Sequence, residues 1–253
     1  MSLLAAARHT PARPRIRRLP STDDQTQGSS TAPYAALVAE HGLSPAHRLL
    51  LDAVPGGARV LDVGCATGYL AGELSRRGCR VTGVEADPVA AERARLQCEQ
   101  VVVGDVEDAA CREELGALAP FDVVLCGDVL EHLRDPWSTL RCLAALGGQV
   151  VLSVPNVAHW TGRRALLRGR FAYSAHGLFD RTHLRFFTRA SARALAEGAG
   201  LRIVAERFAP APLPLQSRVP ALRGLERAAV RAWPELFALQ VVLICEAPRA
   251  PGR

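Results

Sequence analysis

Asp62-Val63-Gly64-Cys65-Ala66-Thr67-Gly68 holds an acid and two glycines four apart, directly after the apolar run Val60-Leu61. Glycine lets a ligand lie against bare backbone, and the helix N-terminus expected beyond this turn offers free N–H groups and a positive dipole end. Glu85 closes a second apolar run, about 20 residues past the turn, the spacing at which an acid reaches ribose hydroxyls. Asp105 closes a third run, Val101-Val102-Val103-Gly104. A carboxylate there can accept from an adenine amino group while Val106 offers a backbone N–H to the ring. A single strand-end acid is usually a helix cap or a solvated loop residue. Three in succession point instead to a nucleoside-bearing cofactor. A dinucleotide fingerprint would need G-x-G-x-x-G, and Ala66 and Tyr69 stand at its second and third glycine positions.

Such residues need a parallel sheet beneath them. Apolar runs predict strands near 59–64, 80–85, 100–104, 121–127 and 149–154. Helices are expected between them near 68–77, 88–98, 107–119 and 136–146, after a first helix at Pro45–Ala53. This alternation implies an α/β fold with right-handed crossovers. Ligands of open α/β sheets bind at the carboxyl ends of the strands, where Gly64, Glu85, Asp105 and Asp128 all fall. The stretch 157–187 is long for a connection and reads as a lid. The segment 209–237, Pro-rich and then helix-like, reads as a second wall.

The chain has 253 residues, 49% of them hydrophobic, enough for one full α/β core at 33–247. Residues 1–32 carry five arginines before Pro20 and read as a disordered basic tail, with an organelle-targeting peptide as the other reading; 248–253 is a short C-terminal tail. No apolar run approaches the ~20 residues of a membrane span. Seven scattered cysteines without C-x-x-C predict reduced, buried thiols in a reducing cytoplasm, with no metal site and no catalytic thiol. All 31 basic residues are arginine. Residues 21–162 hold 10 arginines against 19 acids, and residues 163–253 hold 16 against six. No aromatic–basic interleaving accompanies the charge, so neither nucleic acid nor membrane is the expected partner.

The motifs VLDVGCATGYLA at 60–71, VTGVEADP at 81–88, VVGDVED at 102–108, FDVVLCGDVLEHLRDP at 121–136 and VVLSVPN at 150–156 resemble the class I S-adenosylmethionine-dependent methyltransferases. The resemblance spans about 45–246. PNVAHW at 155–160 and DRTHLRFFT at 180–188 are similar to a small-molecule branch found beside sugar-transfer and secondary-metabolite enzymes. It implies a Rossmann-like, doubly wound, seven-stranded sheet, mostly parallel, with further strands near 201–208 and 239–246 and the last inserted antiparallel. The cofactor implied is S-adenosylmethionine. Its binding set would be Asp62, Gly64 and Gly68 around the methionine portion, Glu85 at the ribose, Asp105 and Val106 at adenine, and Asp128 facing the methionine group or the acceptor.

Methyl transfer from a sulfonium needs alignment and desolvation more than acid–base power, but an alcohol acceptor must also lose its proton. Histidine suits that task near neutral pH. His132, His159, His176 and His183 lie in the expected region, and His132 and His183 are favoured as bases, with Asp128 beside them. The alternative for each histidine is a cap or a lid hydrogen bond. Residues 163–189 carry seven arginines against Asp180 alone. They either pair with the acidic half or hold an anionic small-molecule acceptor, for which Arg181, Arg185 and His159 are the candidate contacts. The expected reaction is O-methylation. N-methylation, carboxylate ester formation, a nicotinamide oxidoreductase and an inactive cofactor-binding partner stay open, as does the oligomeric state.

Overall fold

The computed structural model of the chain describes Val38, Glu40, residues 42–211 and residues 220–247. The tails expected at 1–32 and 248–253 lie outside the described residues. A seven-stranded sheet organises the rest, in the order β3-β2-β1-β4-β5-β7-β6. Its strands are β1 (Arg59–Val63), β2 (Arg80–Glu85), β3 (Gln100–Val103), β4 (Phe121–Gly127), β5 (Gly147–Pro155), β6 (Arg202–Pro210) and β7 (Ala238–Glu246). Pairings from β3 through to β5 are parallel, whereas β7 runs antiparallel to both β5 and β6. Sequence order reverses between β1 and β4, so a crevice opens there at the carboxyl ends of the strands.

Alternation along each central strand divides the core between two faces. Leu61, Val124, Leu152 and Leu243 join one apolar cluster; Val60, Val123, Val151 and Val242 join the other. The first face is covered by Leu115 of α4 (Ala109–Leu118), Leu140 and Leu143 of α5 (Pro136–Ala144), and Leu195 of α7 (Arg189–Gly198). The second is covered by Leu50 and Leu51 of α1 (Pro45–Ala53) and by Leu70 and Leu74 of α2 (Tyr69–Arg76). Central strands buried on both faces read as continuous apolar runs, which is why the sequence marks them clearly. Between them lie α3 (Pro88–Ala94) and, in the 157–187 connection, α6 (Trp160–Leu167). Helices α8 (Pro220–Ala232) and α9 (Pro234–Phe237) precede β7.

Helix starts follow local chemistry. Asp87 and Asp135 accept from backbone N–H groups of α3 and α5, and a proline opens each helix where a missing N–H costs nothing. Ser44 and His47 form a reciprocal capping pair on α1, each side chain accepting from the other's backbone N–H. Helix α3 stops at Ala94, short of the expected 98, because the N–H groups of Gln97 and Cys98 both turn back onto the Ala94 carbonyl. Residues 94–97 pack there against Gly68, whose added Cβ would lie 3.0 Å from Gln97 Cβ and 3.1 Å from Ala94 Cα.

Candidate functional site

The β1 turn is shaped by left-handed backbone: φ is +67° at Gly64, +79° at Gly68 and +50° at Ala66. The Glu85 carboxylate, at the end of β2, ties this turn to the next. Its Oε2 accepts from the Ala66 N–H at 2.8 Å and its Oε1 from the Asp87 N–H at 2.9 Å. These bonds fix the carboxylate in place and leave its remaining lone pairs for a ligand. Gly64 N–H donates to the Val84 carbonyl, and a Cβ at 64 would sit 2.9 Å from Val129 Cγ2. Gly64→Val should therefore strain the turn as well as crowd any ligand. We expect a lower melting temperature, from a left-handed-backbone cost of about 1–3 kcal/mol, together with loss of cofactor binding by calorimetry. A variant that melts and binds like the parent would contradict this.

A cavity of about 380 Å³ lies at these strand ends. Gly64, Glu85, Asp105, Val106, Asp128 and His132, all expected at the site, line it, and so do Tyr69 and Arg134. The volume suits a small-molecule ligand. Asp105 is partly engaged already: Oδ1 accepts from the Glu107 N–H at 2.8 Å and Oδ2 from Arg134 Nη2 at 2.9 Å. Glu107 also holds the following turn, accepting from the backbone N–H groups of Arg134 and Asp135, which keeps its carboxyl below the usual range despite partial burial.

Asp62 and Gly68 do not line this cavity. Gly68 stands behind the turn against α3. Asp62 is 2% exposed, and its Oδ2 has no hydrogen-bond partner. Burial, with the Glu85 carboxylate adding repulsion, pushes the Asp62 pKa from 3.8 up to about 7. The folded chain thus binds this proton more tightly than the unfolded chain. The stabilisation is fully present below about pH 4 and is lost as pH rises through about 7. Asp62→Asn, neutral at every pH, should flatten the fall in stability between about pH 4 and 7 in denaturant melts without cofactor. A variant whose stability tracks the parent across that window would refute the shift.

A second cavity of about 470 Å³ adjoins the first, and Asp128 and His47 line both. Asp128 holds a left-handed backbone (φ +53°) at the end of β4, uncommon for a non-glycine residue and often found at functional sites. Ser153 Oγ donates to its Oδ1 at 2.6 Å and Gln240 Nε2 to its Oδ2 at 2.7 Å, so β5 and β7 both position it. Apolar contacts from Leu43, Leu178, Pro210 and Leu239 make up much of the second cavity, with Glu131 and His183 among its polar lining.

The single 3₁₀ turn Leu130–His132 carries the most unusual group. Glu131 is 1% exposed, and neither carboxylate oxygen has a hydrogen-bond partner. Burial, followed by repulsion from Asp128, pushes its pKa well above the ordinary carboxylate value. The 182–185 segment is stitched over this turn: Leu184 and Arg185 N–H groups both donate to the Glu131 carbonyl, at 2.8 and 3.0 Å. Asp180 shapes that segment by accepting from the Thr182 N–H and hydroxyl, and the Thr182 carbonyl faces His132 Nδ1 at 3.2 Å. The His132 and His183 rings meet edge-on with centroids 4.9 Å apart. Burial lowers the pKa of each, which favours the neutral imidazole.

The structure thus brings His132 and His183 together with Asp128. It does not bring His159, Arg181 or Arg185 to either cavity. His159 caps α6, with Nδ1 2.8 Å from Thr161 Oγ1. Arg185 stacks over Trp137 at 5.7 Å and donates to the Arg134 carbonyl, and Arg163 donates to the Ala158 carbonyl. Arg189 pairs with Glu206 and Glu235. No arginine among the described residues lines the second cavity, while His176 does line it. Glu131, His47, Tyr69, Arg134 and Gln240 were not singled out from the sequence. Glu131 stood inside a quoted motif, but its burial depends on the lid folding back over it.

A family profile described as a methyltransferase domain matches residues 35–206. The chain is 32% identical over 152 residues to a ubiquinone biosynthesis O-methyltransferase of Aeromonas salmonicida, covering 58% of this chain and 64% of that protein. To the protein of that name from Xanthomonas axonopodis pv. citri it is 39% identical over 127 residues, 46% of this chain and 52% of that one. It spans between about half and two thirds of the length of these relatives. Among solved structures, a SAM-dependent methyltransferase from Archaeoglobus fulgidus superposes with a TM-score of 0.54 at 20% identity, covering 87% of this chain and 95% of that one. A Thermotoga maritima SAM-dependent methyltransferase, titled a possible histamine N-methyltransferase, gives 0.58 at 17% identity over 86% and 96%. At these identities the structures speak to the fold alone, and the fold is that of class I methyltransferases.

Proposed function

We infer, from the premise that this chain belongs to the methyltransferase domain family, that it uses S-adenosylmethionine to methylate an oxygen of a small-molecule acceptor. The observation that carries this reading is the carboxylate-lined cavity at the carboxyl ends of β1, β2 and β3, opening beside Asp128 onto a largely apolar second cavity. Glu85, Asp105, Glu107 and Asp128 line the first cavity against Arg134 alone, a charge balance that fits a cationic ligand and disfavours a pyrophosphate. S-adenosylmethionine supplies a methyl group on a sulfonium, already activated for displacement. Glu85 would hold its ribose, Asp105 and Val106 its adenine, and Gly64 with Asp128 its methionine end. Asp62 and Gly68 would support the turn from behind.

On the acceptor side, the chain's work is to exclude water, orient an oxygen near Asp128 and promote loss of its proton beside the Glu131, His132 and His183 cluster. Oxygen is favoured because the relatives named above are O-methyltransferases. An uncharged acceptor is favoured because, among the described residues, no arginine lines the second cavity. Among the described residues no helix is long and apolar enough to cross a membrane.

Calorimetric titration of the full chain with S-adenosylmethionine and with a nicotinamide dinucleotide tests the cofactor. Mass spectrometry of a panel of phenols, sugars, amines and carboxylates tests the acceptor atom. Dinucleotide binding alone would overturn the reading. Cofactor binding without transfer to any oxygen, alongside transfer to nitrogen or carboxylate, would overturn its acceptor half.

A further inference from the structure

We propose that Glu131, His132 and His183 form a binding site for one divalent first-row transition cation, of the zinc, cobalt or manganese kind. Each residue offers one ligand atom, and those atoms all lie within 4.8 Å of one another. The carboxylate is fully buried with both oxygens unpartnered, an arrangement that protein interiors avoid unless something else satisfies the group. In a proton relay Glu131 would accept from an imidazole N–H. Neither oxygen does so.

The His132 imidazole is prepared for a ligand's role. Its Nδ1 faces the Thr182 carbonyl at 3.2 Å. A backbone carbonyl on one ring nitrogen fixes the tautomer and leaves a lone pair on the other, the usual outer support of metal-bound histidine. The Thr182 carbonyl belongs to the 180–185 segment, which is itself held to the Glu131 carbonyl by two N–H groups. Ligands and supports therefore sit on two segments clamped together. Two histidines and one carboxylate suit zinc, cobalt or manganese; magnesium and calcium take sets dominated by oxygen. Cysteine spacing, on which the expectation of no metal rested, carries no information about these residues. These ligands are spread over residues 131–183 and carry no spacing signature.

Three protein ligands leave a coordination position open, and Glu131 and His183 line the second cavity. An acceptor hydroxyl bound there would have its pKa lowered: the O–H bond breaks, its electron pair stays on the oxygen, and the proton passes to water. This use of the cation rests on the transfer reading; the binding site itself does not.

The test uses the untagged full chain, stripped with a chelator and titrated calorimetrically with Zn2+, Mn2+ and Mg2+, with Co2+ followed by its visible absorption. We expect one Zn2+ or Co2+ per chain, with Mg2+ bound far more weakly. Glu131→Gln and His183→Ala should each weaken the cation by about tenfold or more, at least the scale seen for lost supporting contacts. Glu131→Gln keeps the side chain's size and should fold; its circular dichroism and melting curve verify this. Absence of stoichiometric binding in the stripped chain, or binding that folded Glu131→Gln leaves unchanged, overturns the site. A chain that binds S-adenosylmethionine but no cation refutes this proposal and leaves the transfer reading intact. A chain that binds the cation but no S-adenosylmethionine does the reverse.

Discussion

Glu85→Ala should weaken S-adenosylmethionine binding by about 2–4 kcal/mol, the range for lost charge-assisted hydrogen bonds. The side chain serves two purposes at once. It is a candidate acceptor for the ribose hydroxyls, and it already accepts from the N–H groups of Ala66 and Asp87. Removing it leaves both amides without their partner at the cavity wall, so some of the loss arises from a turn that is no longer held in shape. Glutamine is not a mild replacement here. Each carboxylate oxygen faces a backbone N–H, so the amide NH2 of Glu85→Gln must oppose one of them, and its affinity should fall close to that of the alanine variant. Isothermal titration of both variants, alongside thermal melts, separates ligand contact from local unfolding. Parent-like affinity in a folded Glu85→Ala chain would remove Glu85 from the cofactor site.

The sheet was legible because its central strands are apolar on both faces and each ends in a residue with a chemical reason to be there. The same logic put Gly64, Glu85, Asp105 and Asp128 at strand ends, where all four line the first cavity, since a strand's carboxyl end is a position that sequence order alone defines. Asp62 also closes an apolar run, yet it is buried and does not line the first cavity, because side-chain direction reverses with each residue along a strand. The acceptor side was harder to read. His132 and His183 stood out as histidines near the right strand end, but Glu131 becomes informative only once residues 182–185 fold over its carbonyl. Nothing in the spacing Glu131-His132 distinguishes a solvated pair from a buried one. The lid arginines carried two readings, an anion site or pairing within the chain, and Arg163, Arg185 and Arg189 hold backbone carbonyls, an aromatic face and carboxylates of the chain itself.

His183→Ala should cut turnover by about a hundredfold or more, the scale of a lost acid–base contribution, while leaving S-adenosylmethionine affinity unchanged. The separation of effects follows from position. His183 lines the second cavity and not the first, whereas His132 lines the first and could disturb the cofactor when replaced. Its backbone N–H on the Asp180 carbonyl survives the substitution, so the 180–185 segment keeps that anchor as well as its two bonds to Glu131. Arg181→Ala is the matched control. Arg181 lines neither cavity, and its loss should leave both the turnover number and the acceptor's Michaelis constant near those of the parent. The opposite pattern carries a definite meaning. Were Arg181→Ala to raise the acceptor's Michaelis constant while His183→Ala turned over normally, the acceptor would be a carboxylate, which has no proton to lose at neutral pH. The lid would then close on an anion through a different arrangement of its arginines, and the reading of an uncharged hydroxyl acceptor beside Asp128 would fail.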